Sequence, residues 1–240
     1  MKRSLHEFLC DLLYPRRCAL CDTVLSIRDE GSGICAECRK KLHYVRDPRC
    51  MKCGAPLHAD EEEYCKSCAG HRHVYDRGLA LYEYSFVRLG LYRLKYNGRM
   101  EYARFFGREL ARRFGPQLKA WGVQEIIPVP MYAAKQRRRG YNQADALAEV
   151  MGAALGLPVG KKLLKRVRNT RPMKLLGDRE RQINIKNAFL CTQDVVKLDK
   201  VVLVDDIYTT GATIDAAAAE LKRAGVKHVF FVTLAVGTAL

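Results

Sequence analysis

Residues 201–213 read VVLVDDIYTTGAT, and this is the most informative segment of the chain. Its first four residues are apolar, which is the pattern of a strand buried on both faces of a parallel sheet. Asp205 and Asp206 follow at the carboxyl end of that strand, where parallel sheets form their ligand crevices. Because successive strand residues point to opposite faces, one carboxylate can meet a ligand while the other supports it.

A hydroxyl-rich turn follows the acidic pair and leads into a helix-prone segment at 214–224. The turn supplies hydroxyls, backbone N–H groups and one glycine without a Cβ, from Thr209, Thr210, Gly211, Ala212 and Thr213. Such a turn before a helix N-terminus favours phosphate binding. The alternative interpretation is a strand, a turn and a threonine-capped helix in an ordinary α/β protein.

The same stretch resembles the phosphoribosyl pyrophosphate (PRPP) signature of type I phosphoribosyltransferases. The resemblance implies that Asp205 and Asp206 are the catalytic acids facing the ribose 2′ and 3′ hydroxyls. It also implies that residues 209–213 hold the 5′-phosphate and that Mg²⁺ accompanies PRPP. Purine enzymes that take 6-oxo bases commonly have an aspartate where this chain has Thr209, and threonine cannot act as that base. Hypoxanthine and guanine are therefore disfavoured as acceptors.

Eight of the ten cysteines form four Cys-x-x-Cys pairs: Cys18/Cys21, Cys35/Cys38, Cys50/Cys53 and Cys65/Cys68. Two such pairs complete a tetrahedron of thiolates, so the chain is predicted to hold two structural Zn²⁺ ions. The simplest assignment gives one ion to the first two pairs and one to the last two, although the spacing also permits a crossed pairing. Disulfides and thioredoxin-like redox chemistry are the alternatives, and both fit poorly a fourfold motif without an export signal.

Four further residues need an interpretation beside these pairs. Cys10 and Cys191 stand alone and are expected to be small buried hydrophobes. His71 and His73 follow the last pair and offer metal-binding groups. Because the cysteine complement is already full, they are interpreted as linker residues.

Positive charge is concentrated in residues 135–186, which hold 14 Lys or Arg against four acids in a chain of formal net charge +16. Such a block attracts polyanions, either a pyrophosphate or the backbone of a nucleic acid. A basic loop with Arg138, Arg139 and Gly140 follows a strand at 125–129, and the resemblance to the phosphoribosyltransferases implies that this loop binds the pyrophosphate. The alternative is an ordinary basic loop before an amphipathic helix at 142–154.

A second segment, polar, basic and proline-containing, is predicted to be a mobile loop, and the resemblance implies that it closes over the substrate. Its candidate residues are Arg166, Arg168, Thr170, Arg171 and Lys174. All these motifs, with the segment Leu94-Lys95-Tyr96-x-Gly98, occur in the same order in the ComF family. These are competence-associated proteins with a double zinc ribbon joined to a phosphoribosyltransferase-like domain. The family often has a glutamine where this chain has Met173, which is given no role.

The predicted architecture is a double zinc ribbon at 1–72 and a phosphoribosyltransferase-like domain at 73–240. The second domain is of the α/β class, with a mostly parallel, doubly wound sheet. Strands are expected at 79–84, 125–129, 201–205 and 229–235, and a helix at 101–114. No apolar run is long enough for a membrane span, and charges interrupt the first fifteen residues as a signal peptide. A cytoplasmic location is therefore expected.

Two functional hypotheses from different classes follow, and both can hold together. In the first, the protein binds Mg²⁺–PRPP or a related ligand and handles single-stranded DNA during DNA uptake, with bases stacking on Tyr96, Tyr132 or Tyr141. In the second, it is an active transferase that moves ribose 5-phosphate from PRPP to an unidentified nitrogen acceptor. A weaker third hypothesis is a catalytically silent scaffold whose ribbon binds a protein of the DNA-uptake machinery.

Overall fold

The structure is a computed structural model that describes residues 14–29, 31–57, 63–168, 188–192 and 197–237. Its strands are β1 (Gly78–Glu83), β2 (Glu125–Pro128), β3 (Leu164–Arg166), β4 (Phe189–Cys191), β5 (Lys200–Tyr208) and β6 (His228–Val236). Its helices are α1 (Ala36–Lys40), α2 (Lys66–Ala69), α3 (Tyr84–Tyr96), α4 (Tyr102–Trp121), α5 (Ala133–Arg139), α6 (Gln143–Leu155) and α7 (Ala212–Arg223).

The central sheet has the strand order β1-β6-β5-β2, and each of its neighbouring pairs is parallel. Strands β3 and β4 form a separate antiparallel pair. The four apolar residues that open the signature are fully buried in β5. Val202 and Val204 pack on one face of the sheet with α3, α4 and α6, whereas Val201 and Leu203 pack on the other face with α7. Covering both faces explains why this strand is apolar without alternation.

Each half of the cysteine-rich region joins one of these two cores. Cys18 and Ala19 pack with Phe106 of α4, and Cys50 and Cys53 pack with the face that α7 covers. A Cβ on Gly90 of α3 would lie 2.1 Å from the carbonyl oxygen of Ala19, so glycine permits this close approach. The ribbon is therefore packed into the same hydrophobic cores as the sheet.

Two local predictions differ from the structure. The helix predicted at 101–114 continues to Trp121 through Pro116, and Gly122 ends it with a φ of 71°. Phe114 and Leu118 lie one turn apart and are both buried, and this packing offsets the hydrogen bond that Pro116 cannot donate. The predicted basic loop is mostly the helix α5, which Gly140 ends with a φ of 89°. In the described ranges, no helix is both long and apolar enough to cross a bilayer.

Candidate functional site

The acidic pair lies on β5 where the sheet loses one neighbour. Strand β2 pairs with β5 only as far as Pro128, which is opposite Val204, while β6 continues beside β5 to its end. Asp205 and Asp206 come directly after Val204. The sheet therefore opens a crevice at the carboxyl end of its strands, and the two carboxylates border it.

Asp206 is the centre of a buried polar network. The Nζ of Lys95 lies 2.5 Å from its Oδ2, and Gln143 Nε2 donates to the same oxygen at 3.1 Å. Arg139 donates in turn to Gln143 Oε1 at 2.6 Å, and its guanidinium lies over the ring of Tyr96, 5.0 Å from the centroid. The network thus links the acidic pair to α3, α5 and α6, and it includes the predicted pyrophosphate residue Arg139.

The two neighbouring carboxylates have opposite electrostatic situations. Burial raises the pKa of Asp205, and the negative charge of Asp206 raises it further. Burial also acts to raise the pKa of Asp206, but the ammonium of Lys95 outweighs this effect and lowers the pKa overall. For Lys95 itself, burial lowers the pKa and Asp206 more than restores it. Asp206 is therefore an anion paired with Lys95, whereas no cation offsets the burial of a negative charge on Asp205 to the same extent.

Further cations face the same crevice from three elements. Burial lowers the pKa of Lys135, and the positive charges of Arg139, Arg166 and Lys95 lower it further. Arg166, on β3, also interacts electrostatically with Asp205, and burial lowers the pKa of its guanidinium. A group of positive charges beside one crevice attracts anions to it.

The other predicted basic residues have different positions. Arg138 is exposed on α5, and a Cβ on Gly140 would meet open space. Arg168 is exposed just after β3. Thr170, Arg171, Lys174 and Met173 lie outside the described residues, so most of the predicted mobile loop stays a prediction.

The predicted phosphate turn connects β5 to α7. Thr209 is exposed, Thr210, Ala212 and Thr213 are partly buried, and Gly211 is buried with a φ of 78° at the N-cap of α7. The Oγ1 of Thr210 is buried and has no hydrogen-bond partner among the described residues. Buried polar atoms are normally paired, so this orphaned hydroxyl at a helix N-terminus suits an anion.

Residues that follow Cys68 contact the first turn of α7, and no pattern in the sequence predicts this contact. His73 is buried, and its Nδ1 lies 2.6 Å from Asp215 Oδ2 in the first turn of α7. The N–H of Val74 donates to Asp215 Oδ1 at 2.7 Å, and the hydroxyls of Tyr75 and Tyr208 are 2.7 Å apart. His73 is therefore part of the packed joint rather than a simple linker residue.

The eight paired cysteines form two tetrads in the order of the sequence. Cys18, Cys21, Cys35 and Cys38 form the first, and Cys50, Cys53, Cys65 and Cys68 form the second, each with sulfur atoms within 4.8 Å of one another. The Cys21–Cys35 and Cys53–Cys65 sulfurs are 3.7 Å apart, which fits a tetrahedron with Zn–S bonds of about 2.3 Å. All eight thiols are free of disulfides, so the tetrads are consistent with two structural zinc sites.

The solitary Cys191 lies apart from these tetrads. Cys191 is partly buried at the end of β4, and burial raises the pKa of its thiol to about 11. It is accordingly a packing residue rather than a reactive thiolate. Cys10 lies outside the described residues.

Comparison with known families assigns the two parts. A model described as "Double zinc ribbon domain" matches residues 9–69, and one described as "Phosphoribosyl transferase domain" matches residues 138–239. The chain joins a double zinc ribbon to a phosphoribosyltransferase domain. This confirms the predicted α/β class with a parallel sheet and an N-terminal double zinc ribbon. The predicted boundary at residue 72 stays a prediction, because residues 70–137 lie between the two matches.

Several curated relatives are similar to this chain. Competence protein F of Haemophilus influenzae is 38% identical over 108 residues, which are 44% of this chain and 47% of that protein. The DNA utilization protein YhgH of Salmonella typhimurium is 34% identical over 60% of this chain and 64% of that protein. Competence protein ComFC of Streptococcus pneumoniae is 25% identical over 86% and 89%. The chain spans less than two thirds of the length of the first two of these relatives. Together with the two domain matches, these relatives confirm the predicted resemblance to the ComF family.

Proposed function

We propose that this protein binds Mg²⁺–PRPP or a related phosphoribosyl ligand and acts in DNA uptake by handling single-stranded DNA in the cytoplasm. One observation carries the ligand proposal. The acidic pair, the orphaned Thr210 hydroxyl and the N-terminus of α7 lie on one continuous segment at the open end of the sheet. A phosphorylated sugar needs this combination, because its phosphate seeks N–H donors while its hydroxyls seek carboxylates.

Each group has a distinct part in the proposed complex. The turn at 209–213 and the N–H groups of α7 hold the 5′-phosphate, and Thr210 supplies its unpaired hydroxyl. Asp205 accepts from the ribose hydroxyls, while Asp206 is held in place by Lys95 and Gln143. Bound Mg²⁺ would supply positive charge that neutralises the pyrophosphate oxygens.

The pyrophosphate end of the ligand has cations available on two elements. Arg139 and Lys135 lie on α5, and Arg166 lies on β3. Guanidinium groups bind two phosphate oxygens at once, which suits a diphosphate. These groups also favour the alternative function, an active transferase, because they would stabilise the charge that develops on a leaving pyrophosphate.

The DNA-handling proposal rests on the exposed face of α3. Tyr84, Arg88, Tyr92 and Tyr96 follow one another at four-residue spacing, and all four are exposed. The rings of Tyr92 and Tyr96 have centroids 5.1 Å apart, and Arg139 lies over Tyr96. Exposed aromatic rings with a guanidinium form the stacking surface that single-stranded nucleic acids use.

The other two candidate tyrosines are less suitable for stacking. Tyr132 is partly buried, and the hydroxyl of Tyr141 donates to the carbonyl oxygen of Leu94, which fixes its ring in the protein. The relatives named for competence and DNA utilization support the same assignment to DNA metabolism. The basic net charge of +16 is the right sign for a polyanion.

Calorimetric titration with PRPP and Mg²⁺ tests the ligand proposal. The full chain should bind, and an Asp205→Ala/Asp206→Ala variant should not. Asp199→Ala is the matched control, since Asp199 is a carboxylate that pairs with Lys227 at 2.9 Å outside the crevice. Binding by all three proteins, or by none, would contradict the assignment of the acidic pair.

Fluorescence titration with labelled single-stranded DNA tests the second part. Tyr92→Ala/Tyr96→Ala should weaken binding by roughly 30-fold or more, since two stacked bases together contribute about 2–6 kcal/mol. Tyr64→Ala, at another exposed tyrosine, should leave it unchanged. Equal DNA affinity of the wild type and the Tyr92→Ala/Tyr96→Ala variant would exclude this face of α3 as the DNA-binding surface. Release of pyrophosphate from PRPP with a nitrogen acceptor would establish the transferase alternative.

A further inference from the structure

A third set of metal-binding donors lies where the second ribbon meets α7. His71, His73 and Asp215 each bring one ligand atom to within 4.8 Å of the others. Asp215 Oδ2 lies 2.6 Å from His73 Nδ1 and 3.8 Å from His71 Nε2. We propose that these three side chains bind a divalent first-row transition-metal ion such as Zn²⁺, in addition to the two ions of the cysteine tetrads.

The donor set determines the class of ion. Two imidazoles and one carboxylate with an open fourth position are characteristic of catalytic zinc and of non-haem iron sites. Magnesium and calcium prefer all-oxygen surroundings. Around zinc, neighbouring N and O ligands are about 3.3–3.5 Å apart, given bonds of about 2.0–2.2 Å. The His73–Asp215 contact must therefore lengthen and the His71–Asp215 contact must shorten, each by less than about 1 Å.

Two of the three ligands are already held in place by the fold. The His73 side chain is fully buried and stacks on Tyr75 with a centroid distance of 4.8 Å. Asp215 is 14% exposed, and the N–H of Val74 donates to its second oxygen. Such support around ligands fixes their orientation and raises metal affinity. His71 is 50% exposed, so it provides the route by which an ion and water enter.

A purely structural hydrogen bond between His73 and Asp215 accounts for two of these residues but not for the third. The 3.8 Å separation between His71 and Asp215 is too long for a hydrogen bond. Yet the His71 ring meets the His73 ring edge-on with centroids 4.7 Å apart, so both imidazoles converge on one carboxylate oxygen.

An ion at this position would join the ribbon to the turn at 209–213. Asp215 lies in the first turn of α7, and its N–H donates to the carbonyl oxygen of Gly211 at 2.8 Å. With three protein ligands, the fourth coordination position takes water or an anionic oxygen. Metal content can be measured without any phosphoribosyl ligand, so this inference stands or falls separately from the proposed function.

Zinc stoichiometry of the full chain tests the proposal. The protein is saturated with Zn²⁺ in reducing buffer, freed of loosely held metal, and analysed by mass spectrometry of the metal. The wild type should hold one equivalent more than His71→Asn. His228→Asn is the matched control, since His228 is also 50% exposed and lies 3.3 Å from Asp76 Oδ1. This control should keep the wild-type stoichiometry.

Calorimetric titration of Zn²⁺ into protein with filled cysteine tetrads gives the second readout. The wild type and His228→Asn should show one further site, and His71→Asn should weaken it by about 100-fold or more. Because His71 makes no hydrogen bond to Asp215, the substitution leaves the joint intact and unfolding cannot explain the loss. A wild type with no site beyond the tetrads, or a third site that survives in His71→Asn, overturns the proposal.

Discussion

Asparagine substitutions at the two neighbouring aspartates should change stability in opposite directions. Asp205→Asn removes a charge whose burial beside Asp206 is unfavourable, and an asparagine Oδ1 can still accept the N–H of Asp206 as Asp205 does at 2.8 Å. Asp206→Asn removes the partner of Lys95, whose side chain is only 17% exposed. The first variant should therefore be more stable than the wild type at neutral pH, and the second less stable.

The magnitudes follow from these surroundings. Each unit by which a folded-state pKa is raised costs about 1.4 kcal/mol once the group ionises. Asp205 is not fully sealed from solvent, so a gain on the order of 1–3 kcal/mol is expected for Asp205→Asn. Breaking a buried ion pair costs about 3–5 kcal/mol, but Lys95 also faces Asp205 and recovers part of it. A loss of about 2 kcal/mol is expected for Asp206→Asn.

The dependence on pH separates the two effects. Asp205 has a folded-state pKa raised to about 8, so between pH 3.8 and about 8 the folded protein binds more protons at this residue than the unfolded chain does. The stability of the folded protein therefore falls as the pH rises through this range. The advantage of Asp205→Asn should therefore grow from pH 5 to pH 8. Asp206 has a lowered pKa, so its contribution is complete above its ordinary pKa and is lost as pH falls through the folded value. The deficit of Asp206→Asn should shrink in acid.

Urea unfolding of zinc-saturated protein measures these differences. Trp121 is the single tryptophan and stacks on Phe230 of β6 with a centroid distance of 4.4 Å, so its fluorescence reports the sheet. Equal shifts of both variants, or an Asp205→Asn difference that stays constant from pH 5 to pH 8, would refute the unequal roles of the two carboxylates.

Three further predictions concern the ribbon and the turn. Gly90→Ala should destabilise the protein by about 2 kcal/mol, because its Cβ would overlap the carbonyl oxygen of Ala19. Gly115→Ala should cost less, because its Cβ would meet only the movable end of the Leu155 side chain. Urea unfolding of the two variants measures the difference. Gly211→Ala should cost more than Gly140→Ala in the same assay, since both have positive φ but only the former Cβ would meet Tyr208 Oη, at 2.6 Å. Cys53→Ser should lower the zinc content by one and destabilise the sheet, and Cys191→Ser should not lower it, as metal analysis and thermal unfolding would show.

The features that were best predicted from the sequence are those that depend on the pattern of neighbouring residues. The apolar run of β5 and the spacing of the cysteines depend only on neighbouring residues, and the structure places both as expected. The membership of Lys95 and Gln143 in the site could not be derived in this way. Lys95 stands in the segment at 94–98 and Gln143 in the helix predicted at 142–154, but their contact with Asp206 depends on how α3 and α6 pack against β5. The signal available was a lysine at the end of an amphipathic helix, which is also common on solvated faces.

Contacts between distant segments explain the remaining differences. His73 and Asp215 are 142 residues apart, and neither stands in a pattern that indicates a partner. Pro116 predicts the end of a helix from local rules, yet burial of Leu118 carries α4 beyond it. In both cases tertiary packing outweighs the local preference.

The position of His73 also bears on why a zinc ribbon and a phosphoribosyltransferase domain occur together. The second tetrad joins Cys50 and Cys53 to Cys65 and Cys68, and the chain then continues through 69–72 to His73, Val74 and Tyr75. These three residues bond to Asp215 and Tyr208, on either side of the turn that we propose for phosphate. If thiolate ligation orders this ribbon, loss of its metal would release one wall of the turn as well as the ribbon. The ribbon would then be a structural part of the ligand site, in addition to any surface it offers to a partner.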